Sequence, residues 1–559
     1  MTYTPVQRFF RLLQPNKKAI TNLYIFAVFN GLVALSLPLG IQAIINLIQG
    51  GEISVSWVIL VSIVVLGFLF SGGLQLLQLR ITEDLQKDIF TRSAFEFAYR
   101  IPRIRMDALS NHYAPELMNR FFDTITIQKG VAKILLEFTS SGLQIIFGLI
   151  LLSFYHPFFI VFSFLVIVLA YIIGNYIFHR GLKSSVTESK QKYKVAFWLE
   201  EVARTNITFR LSSDTSLPVK RTDDLVESYL HARENHFQIL IRQYYLFLVF
   251  KILVAAGFLG LGGILVFNQQ MNIGQFVAAE IIVLLLISSS EKLLLTLEIV
   301  YDLLTSIEKI GEVTDLQLEQ SDNSLPIDSN ENNGLHVEIN DVYFKYPDAV
   351  EYSLEGLSFT IETNEKVSLT GSNGSGKATL LKLMTSFFEP EKGSILYNKI
   401  PLKNYDINQM RALIAECIAD DRIFDGTVME NLTVGRKVSN DHLVEVMENT
   451  GLKDFIPLLP QGFQTMIGPQ GKRLPGSVVQ KMVLARNLLK NPRLLIVEDI
   501  FNNLEKAEKI RIFKYVLSQN QNRTVIVVTK DTDVMALTSR TITMDDGSII
   551  STQSNKKKK

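Results

Sequence analysis

The first half of the chain contains six apolar runs, each long enough to cross a lipid bilayer as a helix, which takes about 20 residues. Polar stretches separate the runs, which we place at Leu23–Ile48, Trp57–Leu79, Val131–Phe154, Phe158–Phe178, Tyr244–Phe267 and Gln275–Leu297. Buried helices of a large soluble core would also be apolar, but six such runs in one half of a chain favour a membrane domain. The pattern predicts an all-α six-helix transmembrane domain over residues 1–315.

Basic residues are distributed unevenly between these runs. The short joints 49–56, 153–157 and 268–274 contain no Lys or Arg, whereas the long segments 81–130 and 179–242 are rich in both. Because basic loops tend to stay in the cytosol, both termini and both long segments are predicted to be cytosolic. The long segments have helical, amphipathic spacing, so we expect two helical arms beyond the lipid. No cleavable signal is visible, since charged residues lead directly into the first span.

Two ionisable residues fall inside predicted spans. Lys251 and Glu291 lie at similar depths from the inner ends of the fifth and sixth spans, so they could face each other. Our preferred interpretation is that Lys251 extends its amine to the membrane surface while Glu291 lies where its helix leaves the lipid.

Beyond the spans, the pattern changes to short apolar runs typical of an α/β domain. Residues 316–334 are polar and predict a linker. LHVEINDVYFKY then alternates like a strand, KVSLTG is a short strand, and LLIVED and TVIVVT are continuous apolar runs like buried parallel strands. These runs predict an α/β domain at 335–552. A basic tail at 553–559 could touch anionic lipid headgroups, although a solvated chain end is the simpler interpretation.

Composition is consistent with this division. A chain of 559 residues is too long for one core, and a hydrophobic content of 48% fits a membrane protein. The formal net charge of +1 gives no reason to expect a nucleic-acid partner. Cys417 is the single cysteine, which excludes an internal disulfide and gives no argument for an oxidising compartment.

The stretch LTGSNGSGKATL nearly matches the phosphate-binding pattern Gly-x4-Gly-Lys-Ser/Thr between a predicted strand and a predicted helix. Its backbone amides and the helix N-terminus can cradle phosphate, and Lys377 can reach the outer phosphates. The last position holds Ala378 instead of a hydroxyl, and Thr379 points about 100° away around the helix. The predicted nucleotide-binding residues of this loop are Gly371, Ser372, Asn373, Gly374, Ser375, Gly376, Lys377, Ala378 and Thr379.

Together, six spans, two long cytosolic segments and a following P-loop domain resemble an ABC exporter half-transporter. RIFDGTVMENL, KMVLARNLLKNPRLLIVED and TITMDDGSII are similar to further segments of the family's nucleotide-binding domain. The resemblance implies an α/β P-loop, ABC-type nucleotide-binding domain that binds ATP with Mg²⁺, and it implies that Tyr346 stacks on adenine. Among exporters, the bacterial type I secretion group without its N-terminal peptidase-like domain is the most similar.

Several functional positions depart from the family pattern. In the family, an Asp that holds magnesium through water precedes a Glu that polarises the attacking water. Here the order is Glu498 then Asp499, which makes Glu498 the candidate magnesium ligand and both residues the candidate catalytic pair. Each side chain differs by a methylene from the family residue, and a displacement of about 1 Å can cost about a hundredfold in rate. The glutamine that senses the outer phosphate aligns with Ala419, and the switch histidine aligns with Lys530.

The signature LSGGQ also differs, and its positions are taken by Leu474, Pro475, Gly476, Ser477 and Val478. Pro475 removes both a backbone donor and the serine hydroxyl. In the family, each ATP lies between one chain's loop and the other chain's signature. Because this chain departs at both, it would impair both composite sites even beside an intact partner. We therefore expect impaired ATP hydrolysis, and whether the chain is an ATPase at all stays open.

The leading functional interpretation is one half of a dimeric ABC exporter, as a homodimer or a heterodimer. It would move an unidentified substrate outward across the bacterial cytoplasmic (inner) membrane, with the nucleotide-binding domain in the cytosol. The alternative is a non-hydrolysing scaffold or regulatory subunit that pairs with another exporter chain or an envelope adaptor. An importer subunit is less favoured, since importers usually place the two domains on separate chains. The expected partners are membrane lipid, a second half-transporter chain and an envelope adaptor, and not nucleic acid.

Overall fold

The structure of the chain is a computed structural model. It describes residues 3–49, 55–110, 112–213, 215–319, 325, 333–347, 349–418, 422–471, 473–498, 501 and 504–555. Contacts divide the chain into two compact units, residues 1–104 with 111–317 and residues 105–110 with 318–559. We describe each unit by itself. Most of the predicted linker 316–334 and residues 556–559 of the predicted tail lie outside the described residues.

The described part of the first unit is built from helices. The helices up to residue 314, of which α4 belongs to the second unit, are α1 (Pro5–Leu13), α2 (Lys17–Gln49), α3 (Val55–Arg100), α4 (Met106–Leu109), α5 (Ala114–Asn119), α6 (Asp123–Lys133), α7 (Thr139–Tyr155), α8 (Phe158–Arg204), α9 (Asn206–Leu211), α10 (Leu217–Phe267) and α11 (Ile273–Thr314). A π-helical turn at Ile134–Phe138 joins α6 to α7.

Among the described residues, six helical segments are long and apolar enough to cross a membrane, and they are Pro5–Ile48, Val55–Arg103, Ala114–Tyr155, Phe158–Arg204, Leu217–Phe267 and Ile273–Thr314. Each contains one predicted span, so the prediction of a six-helix transmembrane domain is confirmed. The segments have 42 to 51 residues, about twice what a bilayer requires. The 46 residues of α3 alone correspond to about 70 Å of helix. The two long segments between the spans are helical, as predicted.

The outer faces of these helices are apolar. Leu66, Phe68 and Leu69 of α3 are 61%, 60% and 74% exposed. A surface of this kind is unfavourable against water and is expected against lipid. The inner faces pack closely around small residues, since a Cβ on Gly148 of α7 would lie 3.1 Å from a side-chain carbon of Leu286 on α11.

Lys251 of α10 and Glu291 of α11 form an ion pair. The Lys251 Nζ and Glu291 Oε2 atoms lie 3.7 Å apart, and the side chains are 46% and 38% exposed. The possibility that the two residues face each other is therefore confirmed, and the interfacial position of each side chain stays a prediction. They meet because α10 and α11 pack against one another.

The second unit is an α/β domain. Its strands are β1 (Val337–Phe344), β2 (Leu354–Ile361), β3 (Lys366–Gly371), β4 (Lys392–Tyr397), β5 (Ile400–Pro401), β6 (Ile414–Cys417), β7 (Gly426–Thr427), β8 (Met466–Ile467), β9 (Leu494–Glu498), β10 (Thr524–Val528), β11 (Arg540–Asp545) and β12 (Ser548–Ser554). Its helices after α4 are α12 (Lys377–Met384), α13 (Ile407–Leu413), α14 (Val428–Thr433), α15 (Asn440–Thr450), α16 (Gly476–Leu488), α17 (Lys506–Val516) and α18 (Thr532–Met535).

The main sheet has the strand order β12-β11-β3-β10-β9-β6. All neighbours in it are parallel except β12, which returns antiparallel beside β11. A second, antiparallel sheet has the order β2-β1-β4-β5. The residues of β9 from Leu494 to Val497 are fully buried, which explains the continuous apolar run in their sequence. The predicted α/β P-loop fold is confirmed.

The register of the sheet brings three strand ends together. Val528 at the end of β10 is level with Leu369 of β3 and with Glu498 of β9. The loops that follow these parallel strands therefore start at one edge of the sheet. In open α/β sheets, ligands bind at this carboxyl edge.

Candidate nucleotide-binding site

The loop between β3 and α12 depends on two glycines with positive φ that differ in how closely other atoms pack against them. Gly371 has a φ of +152°, and a Cβ there would lie 2.1 Å from the carbonyl oxygen of Met544 on β11. Gly374 has a φ of +86°, but a Cβ there would meet no atom within 4 Å. Gly371 is thus required by packing against the sheet. Gly374 leaves the backbone accessible on an open side, where a ligand can approach it closely.

Lys377, the first residue of α12, bends its side chain back over the loop. Its Nζ donates hydrogen bonds to the carbonyl oxygens of Ser372, at 2.6 Å, and Gly371, at 3.2 Å. It also donates to the hydroxyl of Ser375, at 2.9 Å. The ammonium group is therefore held within the concavity of the loop, where it can meet an anion that the loop amides bind.

The charges around Lys377 affect its ionisation. Burial lowers the pKa of Lys377, and the charge of Lys530 lowers that pKa further. The carboxylates of Asp545 and Glu498 oppose this shift. Two cations and two anions thus act on the same loop, and a bound phosphate would favour the charged form of Lys377.

A cleft of about 790 Å³ opens beside the loop. It is lined by residues 373–379, by Glu498 and Val528 at the strand ends, by residues 349–353 before β2, and by residues 546–547 between β11 and β12. The volume lies within the usual range for small-molecule sites, about 300–1,000 Å³. The structure brings most of the predicted loop residues and Glu498 into one cleft, while Gly371 and Ser372 form the start of the loop.

Two walls of this cleft were missed in the sequence. Residues 349–353 and the turn 546–547 belong to no phosphate-binding pattern and are far from the loop along the chain. They reach the loop because β2 and β11 pack beside it, so that Gly547 accepts a hydrogen bond through its carbonyl oxygen from the backbone N–H of Glu355. For residues 546–547, the sequence signal was the resemblance of TITMDDGSII to the family's closing hairpin.

Tyr346, which the family resemblance places against adenine, lies in an aromatic cluster. Its ring centroid is 5.2 Å from that of Phe344 and 5.5 Å from that of Phe388, both edge-on. Lys382 Nζ lies 5.6 Å from the same centroid. The Tyr346 hydroxyl is 3.3 Å from that of Thr379. Tyr346 is not part of the cleft lining, so its stacking on a base stays a prediction.

The described residues around the loop fit a magnesium ion poorly, because this ion takes one or two side-chain oxygens in addition to waters and substrate phosphates, and the position after Lys377 offers none. Ala378 presents a methyl group, and Thr379 is 7% exposed with its hydroxyl directed at Tyr346. Glu498 lines the cleft, whereas Asp499 lies outside the described residues. No group of three or more His, Cys, Asp or Glu within the described ranges could hold a metal ion. The role of Glu498 as a magnesium ligand stays a prediction.

Lys530 follows β10 at the position of the family's switch histidine. Its Nζ donates a hydrogen bond of 2.9 Å to Oδ1 of Asn373 in the loop, and both side chains are exposed. A histidine has an unperturbed pKa near 6.5 and is largely neutral at pH 7, whereas a lysine brings a positive charge to this place. Ala419, at the glutamine position, lies outside the described residues.

The signature-equivalent residues Leu474 to Val478 lead into α16. Leu474 packs against the hydrophobic core and Val478 is 7% exposed, so both are structural. Pro475 is the N-cap residue and makes no side-chain hydrogen bond to the helix. A serine at this position would accept a hydrogen bond from a backbone N–H group of the first turn, and proline has no side-chain oxygen to do so. Gly476 and Ser477 begin the helix and keep some exposure.

Comparisons with known proteins agree on the kind of domain. The ABC transporter family profile matches residues 354–502, which include the loop, α16 and β9. A probable multidrug resistance ABC transporter ATP-binding/permease protein of Bacillus subtilis is 26% identical over 303 residues, which are 54% of this chain and 52% of the relative. An ATP-dependent lipid A-core flippase of Chromobacterium violaceum is 34% identical over 207 residues, which are 37% of this chain and 35% of the relative. The matches thus span about half the length of these relatives or less.

The likeness extends over the whole fold. A solved structure of a bacterial Atm1-family ABC exporter with ATP bound superposes with a TM-score of 0.84 at 17% identity, covering 96% of each chain. The six membrane-crossing segments make the chain a multi-pass membrane protein. Residues 354–502 match the ABC transporter family, and the chain has the fold of an ABC exporter.

Proposed function

We propose that this protein is the ATP-binding half of a dimeric exporter that moves a substrate out of the cytoplasm, with impaired ATP hydrolysis. The observation that carries the proposal is the presence in one chain of six membrane-crossing helices and an ABC transporter domain. The domain keeps a phosphate-binding loop, and its lysine lies over the loop within an open cleft. The second chain would be another copy or a related half-transporter.

Impaired hydrolysis is inferred from what surrounds the loop. The loop amides and Lys377 can bind phosphates, since both need only main-chain geometry and one charge. ATP supplies a polyphosphate whose cleavage releases energy, but cleavage needs a positioned water and charge stabilisation. Ala378 lacks the oxygen for a metal ion, and Lys530 replaces the switch imidazole. ATP binding would therefore draw two nucleotide-binding domains together more effectively than turnover would separate them.

The substrate class is suggested by the relatives alone. Some are lipid A-core flippases and one is a probable multidrug resistance transporter, which favours an apolar or lipid-like substrate. We place the protein in the bacterial cytoplasmic membrane, with both termini and the ABC transporter domain in the cytosol. This orientation follows from the basic residues of segments 81–130 and 179–242.

A scaffold or regulatory subunit is the second candidate. The observation that favours it is that both halves of a composite site lack a functional side chain. Pro475 in the signature offers no side-chain cap to its helix, and Ala378 in the loop has a methyl group in place of a hydroxyl. Such a chain would hold a second exporter chain or an envelope adaptor and use nucleotide as a conformational ligand.

Reconstitution of the full-length protein tests the proposal. Proteoliposomes containing the wild type or Lys377→Ala would be given external ATP and a fluorescent phospholipid probe, and probe translocation would be followed by quenching. The exporter proposal expects ATP-dependent translocation by the wild type that the variant loses. ATP binding without any translocation would favour the scaffold, and no ATP binding would contradict both.

A further inference from the structure

We propose that Lys530 is a second phosphate-binding cation of the loop and that it allows this site to bind ATP without magnesium. The inference rests on the proposed function, in which the loop binds ATP. It concerns the disagreement between the fold, which implies a magnesium ion, and the residues, which fit one poorly.

The first observation is the direct contact between Lys530 and the loop. The Lys530 Nζ donates a 2.9 Å hydrogen bond to the Asn373 side chain, across 157 positions of sequence. Asn373 lines the cleft and precedes Gly374, where the backbone faces open space. The ammonium group of Lys530 is therefore fixed at the rim of the concavity in which the loop amides would hold phosphate.

The second observation is the proximity of two cations. The charge of Lys530 is, after burial, the main influence that lowers the pKa of Lys377. Two ammonium groups that repel each other across a loop are unfavourable in the free protein. An anion that contacts both would remove this repulsion, so the arrangement favours a polyphosphate over an empty loop.

The third observation is the balance of charge in the cleft. Its lining includes the carboxylates of Glu351, Glu498 and Asp546. A triphosphate placed beside them needs a counter-charge, which a divalent cation supplies in P-loop proteins. Ala378 removes one oxygen ligand of that cation. Lys530, which contacts Asn373 of the loop, supplies positive charge without requiring an oxygen ligand.

A structural role would not require this residue. Lys530 and Asn373 are both exposed, and a hydrogen bond between exposed side chains contributes little to stability, because water competes for both groups. Any polar side chain of similar length could make the bond to Asn373. The charge of lysine is the property that an anionic ligand would use and that the bond to Asn373 does not need.

The test measures ATP affinity of the full-length protein in nanodiscs by calorimetry, with Mg²⁺ or with EDTA. The variants are Lys530→Gln, Lys530→Arg and Lys530→His, and the matched control is Lys514→Gln, an exposed lysine of α17 outside the cleft. We expect the wild-type Kd to change less than about threefold between Mg²⁺ and EDTA. In EDTA at pH 7.5, Lys530→Gln and Lys530→His should weaken ATP binding at least about tenfold, as for loss of one charge-assisted bond.

The same titrations contain the outcomes that would overturn the inference. Lys530→Arg keeps the charge and should bind ATP within about threefold of the wild type, while Lys514→Gln should be unchanged. AMP, which lacks the outer phosphates, should be less affected by Lys530→Gln than ATP is. The inference fails if Mg²⁺ tightens wild-type binding tenfold or more, or if Lys530→Gln binds ATP like the control. If the wild type binds no ATP with or without Mg²⁺, the proposed function fails as well.

Discussion

Glycine-to-alanine substitutions at Gly371 and Gly374 should destabilise the nucleotide-binding loop to different extents, because only Gly371 is tightly packed. Gly371→Ala and Gly374→Ala both place a Cβ on a residue with positive φ, +152° and +86°. A left-handed conformation costs a non-glycine residue about 1–2 kcal/mol. Gly374→Ala should cost no more than that, because its Cβ would meet no atom within 4 Å.

Gly371→Ala should cost more, because its Cβ would lie 2.1 Å from a backbone oxygen of Met544. Met544 is paired with Gly371 in the parallel register of β11 and β3, so the backbone has little freedom to move away. Overpacking of such a site costs about 1–3 kcal/mol in addition. The sum of the two ranges is about 2–5 kcal/mol, which corresponds to about 30- to 5,000-fold in the local opening equilibrium.

Hydrogen–deuterium exchange of the full-length protein measures this difference. Peptides covering β3 and β11 should exchange about 30- to 5,000-fold faster in Gly371→Ala and at most about thirtyfold faster in Gly374→Ala. The two variants are controls for each other, since both add one Cβ to a residue with a positive φ and differ in what that atom would contact. Equal acceleration in both variants, or a larger effect at Gly374, would refute the packing argument for the loop.

Three further predictions follow from individual side chains. Lys377→Ala removes a charge and three hydrogen-bond donations to the loop, and should weaken ATP binding about 10- to 100-fold in calorimetry, with Lys514→Gln as control. Burial lowers the pKa of Lys366 from 10.5 to about 8. Between about pH 8 and 10.5 the unfolded chain therefore binds the proton of the Lys366 ammonium group more tightly than the folded chain does, and the thermal midpoint should rise with pH. Lys366→Met should flatten that rise. The Lys251–Glu291 pair predicts an interaction free energy of at least about 0.5 kcal/mol in a double-mutant cycle of Lys251→Met and Glu291→Gln. The cycle would be measured by thermal unfolding in lipid, and additive effects of the two substitutions would contradict the pair.

Much of the fold could be predicted because its signals are local. A membrane-crossing helix needs about 20 consecutive apolar residues, and such a run is visible without knowledge of its neighbours. The strand KVSLTG corresponds to β3, Lys366–Gly371, because a short strand directly before a glycine loop is the usual context of a phosphate-binding loop. The loop and α12 follow from the glycine and lysine spacing.

The missed features depend on contacts between distant parts of the chain. Lys251 and Glu291 lie at similar depths in their helices, but that they meet follows only from the packing of α10 against α11, which the sequence leaves open. The contact between Lys530 and Asn373 joins positions 157 residues apart. The hydroxyl of Thr379 lies 3.3 Å from that of Tyr346, 33 positions away in the sequence, and no motif encodes this contact. Such side-chain partners depend on how helices and strands pack together, which the local sequence does not specify.

The central claim is that the loop binds ATP while the residues around it support little cleavage. Parallel measurement of ATP binding and phosphate release by the full-length wild type and Lys377→Ala, in nanodiscs with Mg²⁺, tests it most directly. The account predicts ATP binding that Lys377→Ala weakens, with turnover at least about a hundredfold below the roughly 10 per second typical of enzymes. A turnover of several per second that Lys377→Ala abolishes would contradict it.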